Sequence, residues 1–377
     1  MDKGVLPAQQ LRDAVRSEWL RAGEWRIPPE AVQPASVDLR LGEHAWALRC
    51  SFLPDSQSTV EEKVADLAFE RIDLRDGATL ERDRPYLVPL IERLSLPPLV
   101  RARANPKSST GRLDVFTRVL TDRSHRFDEI AAGYEGGLYL EVVPRTFAIR
   151  VRTGLALNQV RLIRGDARLA DAELLALHHD APLLFYDQEP VAESELSIAD
   201  GLFLSLDVRG PSDATVGYRA KKNSLPIDLA RGASLRWQEY WEPVHPEPGG
   251  RIVLEPEVFY LLLSAEGVSV PPCYAAEMLA YDPTAGELRT HYAGFFDPGF
   301  GYAAGREGFH GSRAALEVRA RDVSFMVEHR QPVCRLAFER MAQEPDLLYG
   351  EQAGSSYQGQ QTMLSKHFLG QPTAGVR

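Results

Sequence analysis

The sequence predicts a mainly β protein made of two tandem copies of one β-rich domain, with a few short helices. Three observations predict it. Apolar residues recur in many brief alternating runs, each closed by Gly, Pro or Asp, the pattern of strands in a barrel or sandwich. Helical periodicity is confined to two short stretches. The runs of the second half also repeat those of the first: Pro97 and Pro271 are offset by 174, Glu141 and Glu317 by 176, Arg161 and Arg335 by 174.

In chain order, residues 6–23 read as a helix, with Leu11, Val15, Trp19 and Leu20 on one stripe and Gly23 as its stop. After the Pro28-Pro29 turn, Val37, Leu39 and Leu41 alternate with Asp38 and Arg40 up to Gly42, a half-buried strand. Further strand signals are Trp46–Leu48, Tyr86–Leu90 and Leu94–Leu96. Others are Leu138–Val142, Phe147–Val151 and Leu155–Ile163. Residues 167–185 read as a linker helix between a first domain, 1–166, and a second, 186–377. In the second domain Leu204–Gly210 echoes Ser36–Gly42, and Phe259–Leu263 echoes Tyr86–Leu90. Leu316-Glu317-Val318 echoes Leu140-Glu141-Val142, and Arg335-Leu336 echoes Arg161-Leu162.

Composition narrows the function. A formal charge of −10 and the lack of a basic stripe argue against a protein that coats nucleic acid, which needs cationic surface to displace counterions. No apolar run is long enough to span a membrane, and the N-terminus lacks an apolar signal core. Three scattered cysteines, Cys50, Cys273 and Cys334, imply no disulfide framework; a reducing cytoplasm is the expected location. His178-His179-Asp180 lacks the spacing of a one-face metal site and reads as a solvated helix end. Zinc-dependent nucleobase deaminases carry H-x-E and then P-C-x-x-C. His245-Pro246-Glu247 supplies the first, but after Pro272-Cys273 the second cysteine position holds Ala276, so the zinc site is incomplete.

The stretch from Asn105 to Glu141 carries the most chemistry. Lys107, Ser108, Ser109 and Arg112 lie on a chain bent by Pro106 and Gly111, so hydroxyl and cationic donors can converge on phosphate oxygens. Glu141 shares a strand face with Tyr139. It is either a solvent-facing strand glutamate or a pocket carboxylate able to move protons. Arg112 is either a surface salt-bridge partner or an orienting fork. At the 174 offset the second half lacks the Ser-Ser turn and has instead a tight Asp297-Pro298-Gly299 turn. A polar tail, 349–361, then leads to Lys366.

Together these motifs resemble a known family. QPASVDLRLG at 33–42 is similar to the N-terminal signature of the dCTP deaminases, in the dUTPase-like superfamily. PKSSTGR at 106–112 resembles their R-S-S-x-x-R, with Lys107 replacing the first Arg. GYEGGLYLE at 133–141 resembles their hairpin and catalytic glutamate. Ser356–Gln360 resembles their C-terminal segment over the triphosphate. The resemblance implies a distorted β-barrel and a homo-oligomer with sites between domains or subunits. It implies hydrolysis of dCTP to dUTP and ammonia, feeding dUMP and thymidylate synthesis, with Mg2+ on the triphosphate. It implies that Glu141 shuttles protons, that Ser108 positions water and that Arg112 holds both. Lys107, Ser109, Tyr134, Tyr357, Gln360 and Lys366 would bind substrate. Glu317 is the alternative catalytic carboxylate if one site draws on both copies. The competing readings are a dUTP diphosphatase, a bifunctional deaminase and diphosphatase, and a non-catalytic nucleotide-binding module.

Overall fold

The computed structural model describes residues 3–280, 288–290, 294–302, 310–320, 322–350, 357, 359 and 363–371. Contacts divide the chain into two compact units. The first holds residues 1–167 with 223–232 and 341–347; the second holds 168–222, 233–340 and 348–377. The helix expected as a linker forms as Asp171–Asp180 and belongs to the second unit.

The first unit is built from two principal sheets. In one, Ala156–Arg164 pairs with Val100–Pro106, Val37–Arg40 and Gly4–Val5. In the other the order is Ala68–Asp73, His44–Leu48, Tyr86–Ser95, Glu135–Pro144, Val115–Leu120. The alternation read at Val37–Arg40 appears as buried Val37 and Leu39 between half-buried Asp38 and Arg40. Two segments distant in sequence complete this unit. Ile227-Asp228 adds a parallel strand to Ile149–Val151, and Ala342 N–H donates to the Val5 carbonyl, 2.8 Å.

Two helices differ from expectation. The first is shorter than 6–23, running from Ala8 to Arg16, because Leu20-Arg21 joins the sheet opposite Leu94 and Arg93. A second, Val60–Leu67, starts on a capping box: Thr59 Oγ1 accepts from Glu62 N–H, and Glu62 Oε2 accepts from Thr59 N–H. Val60 and Val64 pack with Leu48, Leu87, Leu120 and Tyr139. That cluster covers the face of Glu135–Pro144 that carries Tyr139 and Glu141, so both faces of this strand are buried.

The second unit repeats the plan. Phe259–Val268 pairs with Ser312–Ala320, and Pro332–Arg340 pairs with Tyr274–Ala280 and Leu202–Ser205. Tyr86 OH accepts from Glu81 N–H, as Tyr260 OH does from Glu255 N–H, both at 3.0 Å. Glu141 lies opposite Leu87, as Glu317 lies opposite Leu261. Two echoes need correction. Leu41 bridges Leu90 and Leu206 bridges Ser264, so Leu202–Leu206, three residues before the expected echo, is the counterpart of Val37–Leu41. Leu162 pairs with Ala102, and Phe338 with Ala276; the counterpart of Leu162 is therefore Phe338, and the 176 offset persists to the last strand. Both displacements arise because pairing partners, not local composition, set register.

His178 is not a solvated helix end. It is buried, its Nε2 meets the Val191 carbonyl at 2.8 Å, and its Nδ1 accepts from Leu183 N–H. His179 is exposed and pairs with Glu193.

Candidate active site

The Ser-Ser turn is a four-residue helical turn, Ser108–Gly111, at the end of Val100–Pro106. A buried amide fixes its base. Asn158 Oδ1 accepts from Asn105 N–H at 3.1 Å, and its Nδ2 donates to Thr117 Oγ1 at 3.2 Å. Lys107 N–H donates to the Leu157 carbonyl, and its ammonium pairs with Asp38. The strand Val37–Arg40 and the Ser-Ser turn are thus joined by an ion pair. Ser108 is exposed, whereas Ser109 and Arg112 are buried.

Glu141 is 1% exposed, which removes the reading of a solvent-facing strand glutamate. Its partner is Arg118, directly opposite on Val115–Leu120, and not Arg112. Arg118 donates from Nε at 2.9 Å and from Nη2 at 2.5 Å, both to Oε2. The same Nη2 reaches Ser51 Oγ at 2.8 Å, and the guanidinium lies 3.6 Å from the Phe127 ring centre. One carboxylate oxygen is therefore fixed, and Oε1 has no donor among the described residues. Sequence reasoning missed Arg118 because a cross-strand pair is invisible until register is known.

Tyr134 lies in the hairpin before this strand. Its hydroxyl donates to the Gly137 carbonyl at 2.7 Å, and burial pushes its pKa up to about 12. The Asp-Pro-Gly turn of the second unit has a counterpart here: Tyr134 N–H donates to Ala131 O as Phe300 N–H does to Asp297 O. Gly133 and Gly299 both have positive φ, +74° and +92°, so the turn geometry is kept while Asp297 is replaced by Ala131.

In the second unit Glu317 is 9% exposed at the ladder position matching Glu141. Its turn counterpart at 281–287 lies outside the described residues, as does Gln360 of the tail. Tyr357 and Lys366 lie in the second unit, where Tyr357 OH accepts from Lys366 N–H at 3.3 Å. That end of the tail is anchored. Phe368 pairs with Leu235 and packs on Tyr240 and Trp241, with ring centres 5.5 and 6.2 Å apart.

A further carboxylate pair was missed. Glu92 is fully buried, and its oxygens accept from Arg40 N–H and Nε, each at 2.6 Å. Glu266, 174 residues on, accepts from Ser205 N–H and Oγ at 2.9 and 2.5 Å. Aligning the two copies residue by residue would have exposed it, since a glutamate repeated inside an apolar strand needs a partner.

Comparison with known proteins fits this duplicated architecture. The family model for the 2'-deoxycytidine 5'-triphosphate deaminase N-terminal domain matches residues 2–166, and that for the C-terminal domain matches 170–368. The chain belongs to the dCTP deaminase family. The crystal structure of 2'-deoxycytidine 5'-triphosphate deaminase from Agrobacterium tumefaciens superposes with a TM-score of 0.83 at 44% identity. It covers 90% of this chain and 100% of that one. The dCTP deaminase of Halorubrum lacusprofundi is 30% identical over 138 residues, 35% of this chain but 65% of that enzyme, under two thirds of its length. A "dCTP deaminase, dUMP-forming" of Aquifex aeolicus is 26% identical over 160 residues, 41% of this chain and 82% of that one. The family assignment covers both halves, and the mainly β, two-domain expectation agrees with the structure and with the Agrobacterium tumefaciens structure.

Proposed function

We propose that this protein hydrolyses dCTP to dUTP and ammonia, supplying dUTP for dUMP formation in the cytoplasm as a homo-oligomer. The observation that carries the reading is the pairing of family membership over both halves with a buried carboxylate, Glu141, whose Oε1 has no donor among the described residues. Glu141 Oε1 takes a proton from water while the resulting hydroxide adds to C4 of cytosine. That proton passes to N3. A second proton passes from the new hydroxyl to the exocyclic amine, the C4–N bond breaks, and ammonia leaves a C4 carbonyl. Arg118 holds Oε2 throughout, so the carboxylate is already oriented for each transfer. Ser108, exposed on its turn, positions the water, and Arg112 orients the turn.

Lys107 and Ser109, with Tyr134, Tyr357, Gln360 and Lys366, are assigned to substrate binding. Hydroxyl and ammonium donors suit phosphate oxygens and not a bare divalent cation, so Mg2+ is assigned to the substrate triphosphate, whose charge it would neutralise. The reading is zinc-independent, because H-x-E at His245–Glu247 is not followed by P-C-x-x-C.

The relative named as dUMP-forming supports a second reading, deamination followed by hydrolysis to dUMP. Chromatography of dCTP reactions run with Mg2+ after zinc chelation separates the two. dUTP and ammonia are expected; dUMP would establish the second reading, and unchanged dCTP would refute both. Glu141→Gln is expected to bind dCTP and to lose about 100- to 10,000-fold in turnover. If Glu317→Gln alone abolishes turnover, the carboxylate assignment moves to the second unit.

A further inference from the structure

The two units differ at one corner of the shared fold. In the first, a cavity of about 460 Å3 is lined by Trp25, Glu43, Arg75 and Arg152–Leu155. The backbone around it has a counterpart in the second unit. Gly154 N–H donates to Leu41 O as Arg330 N–H does to Leu206 O, and Leu41 N–H to Leu155 O as Leu206 N–H does to Gln331 O. Thr153 N–H donates to Leu74 O as His329 N–H does to Gly250 O. Thr153 and Gly154 therefore stand where the second unit has His329 and Arg330, and Gly42 where it has Asp207.

In the second unit this corner is filled by the chain itself. The Tyr186 ring lies 4.6 Å from the Arg330 guanidinium and 4.9 Å from that of Arg209, and its hydroxyl meets His329 Nε2 at 3.0 Å. Asp207 accepts from Arg313 Nη2 at 2.7 Å, and Arg209 pairs with Asp187 at 3.0 Å. An aromatic ring in contact with two guanidinium groups thus occupies this corner. In the first unit the smaller residues leave it open, and a Cβ built on Gly154 meets nothing within 4 Å.

The open corner is lined by complementary groups. Trp25 is 50% exposed on a turn held from behind, because Arg40 Nη2 donates to the Arg26 carbonyl at 2.5 Å while Arg40 is itself fixed by buried Glu92. Arg152 is exposed, and its side chain has no ion-pair or hydrogen-bond partner among the described residues, whereas Arg75 is engaged with Asp73. Glu43 offers an acceptor. An exposed indole face suits a nucleobase, and arginine forks suit phosphate. The carboxylate suits an exocyclic amine. The volume lies in the range of small-ligand pockets.

We propose that this cavity is a second nucleotide site, separate from the Glu141 site, that takes a nucleoside phosphate with an amino-bearing base. It does not depend on the catalytic reading, because its test is binding. The full chain is titrated with ATP and with dCTP while indole emission is followed, and bound nucleotide is counted by equilibrium dialysis. Saturable quenching that is absent in Trp25→Phe is expected. Gly154→Arg, which installs the second unit's residue at a left-handed position that Arg330 already tolerates at φ +64°, should weaken binding at least tenfold. Arg152→Glu, a surface change, should do the same if Gly154→Arg folds poorly. Turnover of dCTP at saturation should be unchanged in both variants. Absent quenching, affinity unaltered in both variants, or joint loss of binding and turnover would each overturn the proposal.

Discussion

The pair Glu141–Arg118 sets the sharpest energetic expectation. The carboxylate is 1% exposed and the guanidinium side chain 23%, with two donors on one oxygen. Removing Arg118 leaves a buried carboxylate without its counter-charge, which costs about 3–5 kcal/mol when one partner of a buried pair is deleted. Arg118→Met keeps most of the aliphatic bulk under Phe127, so little of that loss comes from packing. Glu141→Gln leaves the guanidinium a neutral acceptor and about 1–2 kcal/mol less stability. Removing both groups takes the uncompensated charge away, so the double variant should be more stable than Arg118→Met alone by about 2–3 kcal/mol. Urea unfolding of the four proteins measures this coupling. Additive losses would refute the reasoning, because they would mean that each group is stabilised by water or by other neighbours. Arg118→Lys supplies the functional readout. A point charge cannot make both bonds to Oε2, so turnover should fall while dCTP affinity stays close to the parent value.

Three further outcomes follow from named groups. Burial raises the pKa of Glu92 above its ordinary value, outweighing the donors from Arg40, so the folded state binds a proton there more readily than the unfolded state. Stability should therefore fall as pH rises from the ordinary glutamate value through the raised one. Glu92→Gln should remove that slope in urea titrations across this range; an unchanged slope would assign it elsewhere. Thr59→Ala removes the cap of Val60–Leu67 and should cost about 1 kcal/mol, with faster amide exchange in that helix but not in Asp171–Asp180. His178→Phe keeps the volume but strips Leu183 N–H and the Val191 carbonyl of their partner. It should cost about 1–3 kcal/mol by thermal melting, whereas His179→Phe on the exposed side should cost little.

How much was legible depends on whether the signal is local. The strand at Val37–Arg40, the Ser-Ser turn and the duplication are local or repeated patterns, and all were readable. The helix Val60–Leu67 was missed although Thr59 and Glu62 form a capping box, because its short apolar stripe gives little periodicity. Arg118 and the partners of Glu92 depend on strand register, which composition does not encode. The echo displaced at Leu202–Leu206 makes the same point. Leu204–Gly210 looks like Ser36–Gly42 as text, but Glu266 captures Ser205 where Glu92 captures Arg40, and that buried contact fixes the alignment.

The two copies also separate residues that hold the fold from residues that serve a ligand. Both keep a buried glutamate capturing the signature strand, a tyrosine hydroxyl receiving the backbone N–H five residues before it, and a left-handed glycine in the hairpin. Losing the glutamate or the tyrosine would strand a backbone donor, and a side chain at the glycine would strain the turn, so each loss costs stability in either copy. Elsewhere the copies diverge: Ala131 stands against Asp297, Gly154 against Arg330, Gly42 against Asp207. At the corner that matches the one beside Trp25, the second unit has the Tyr186 ring against the guanidinium groups of Arg209 and Arg330. A corner that binds must leave polar groups for its ligand, whereas a corner that does not bind gains by satisfying its own. The Gly154→Arg titration therefore tests whether the open corner of the first unit is a site or only a difference in packing.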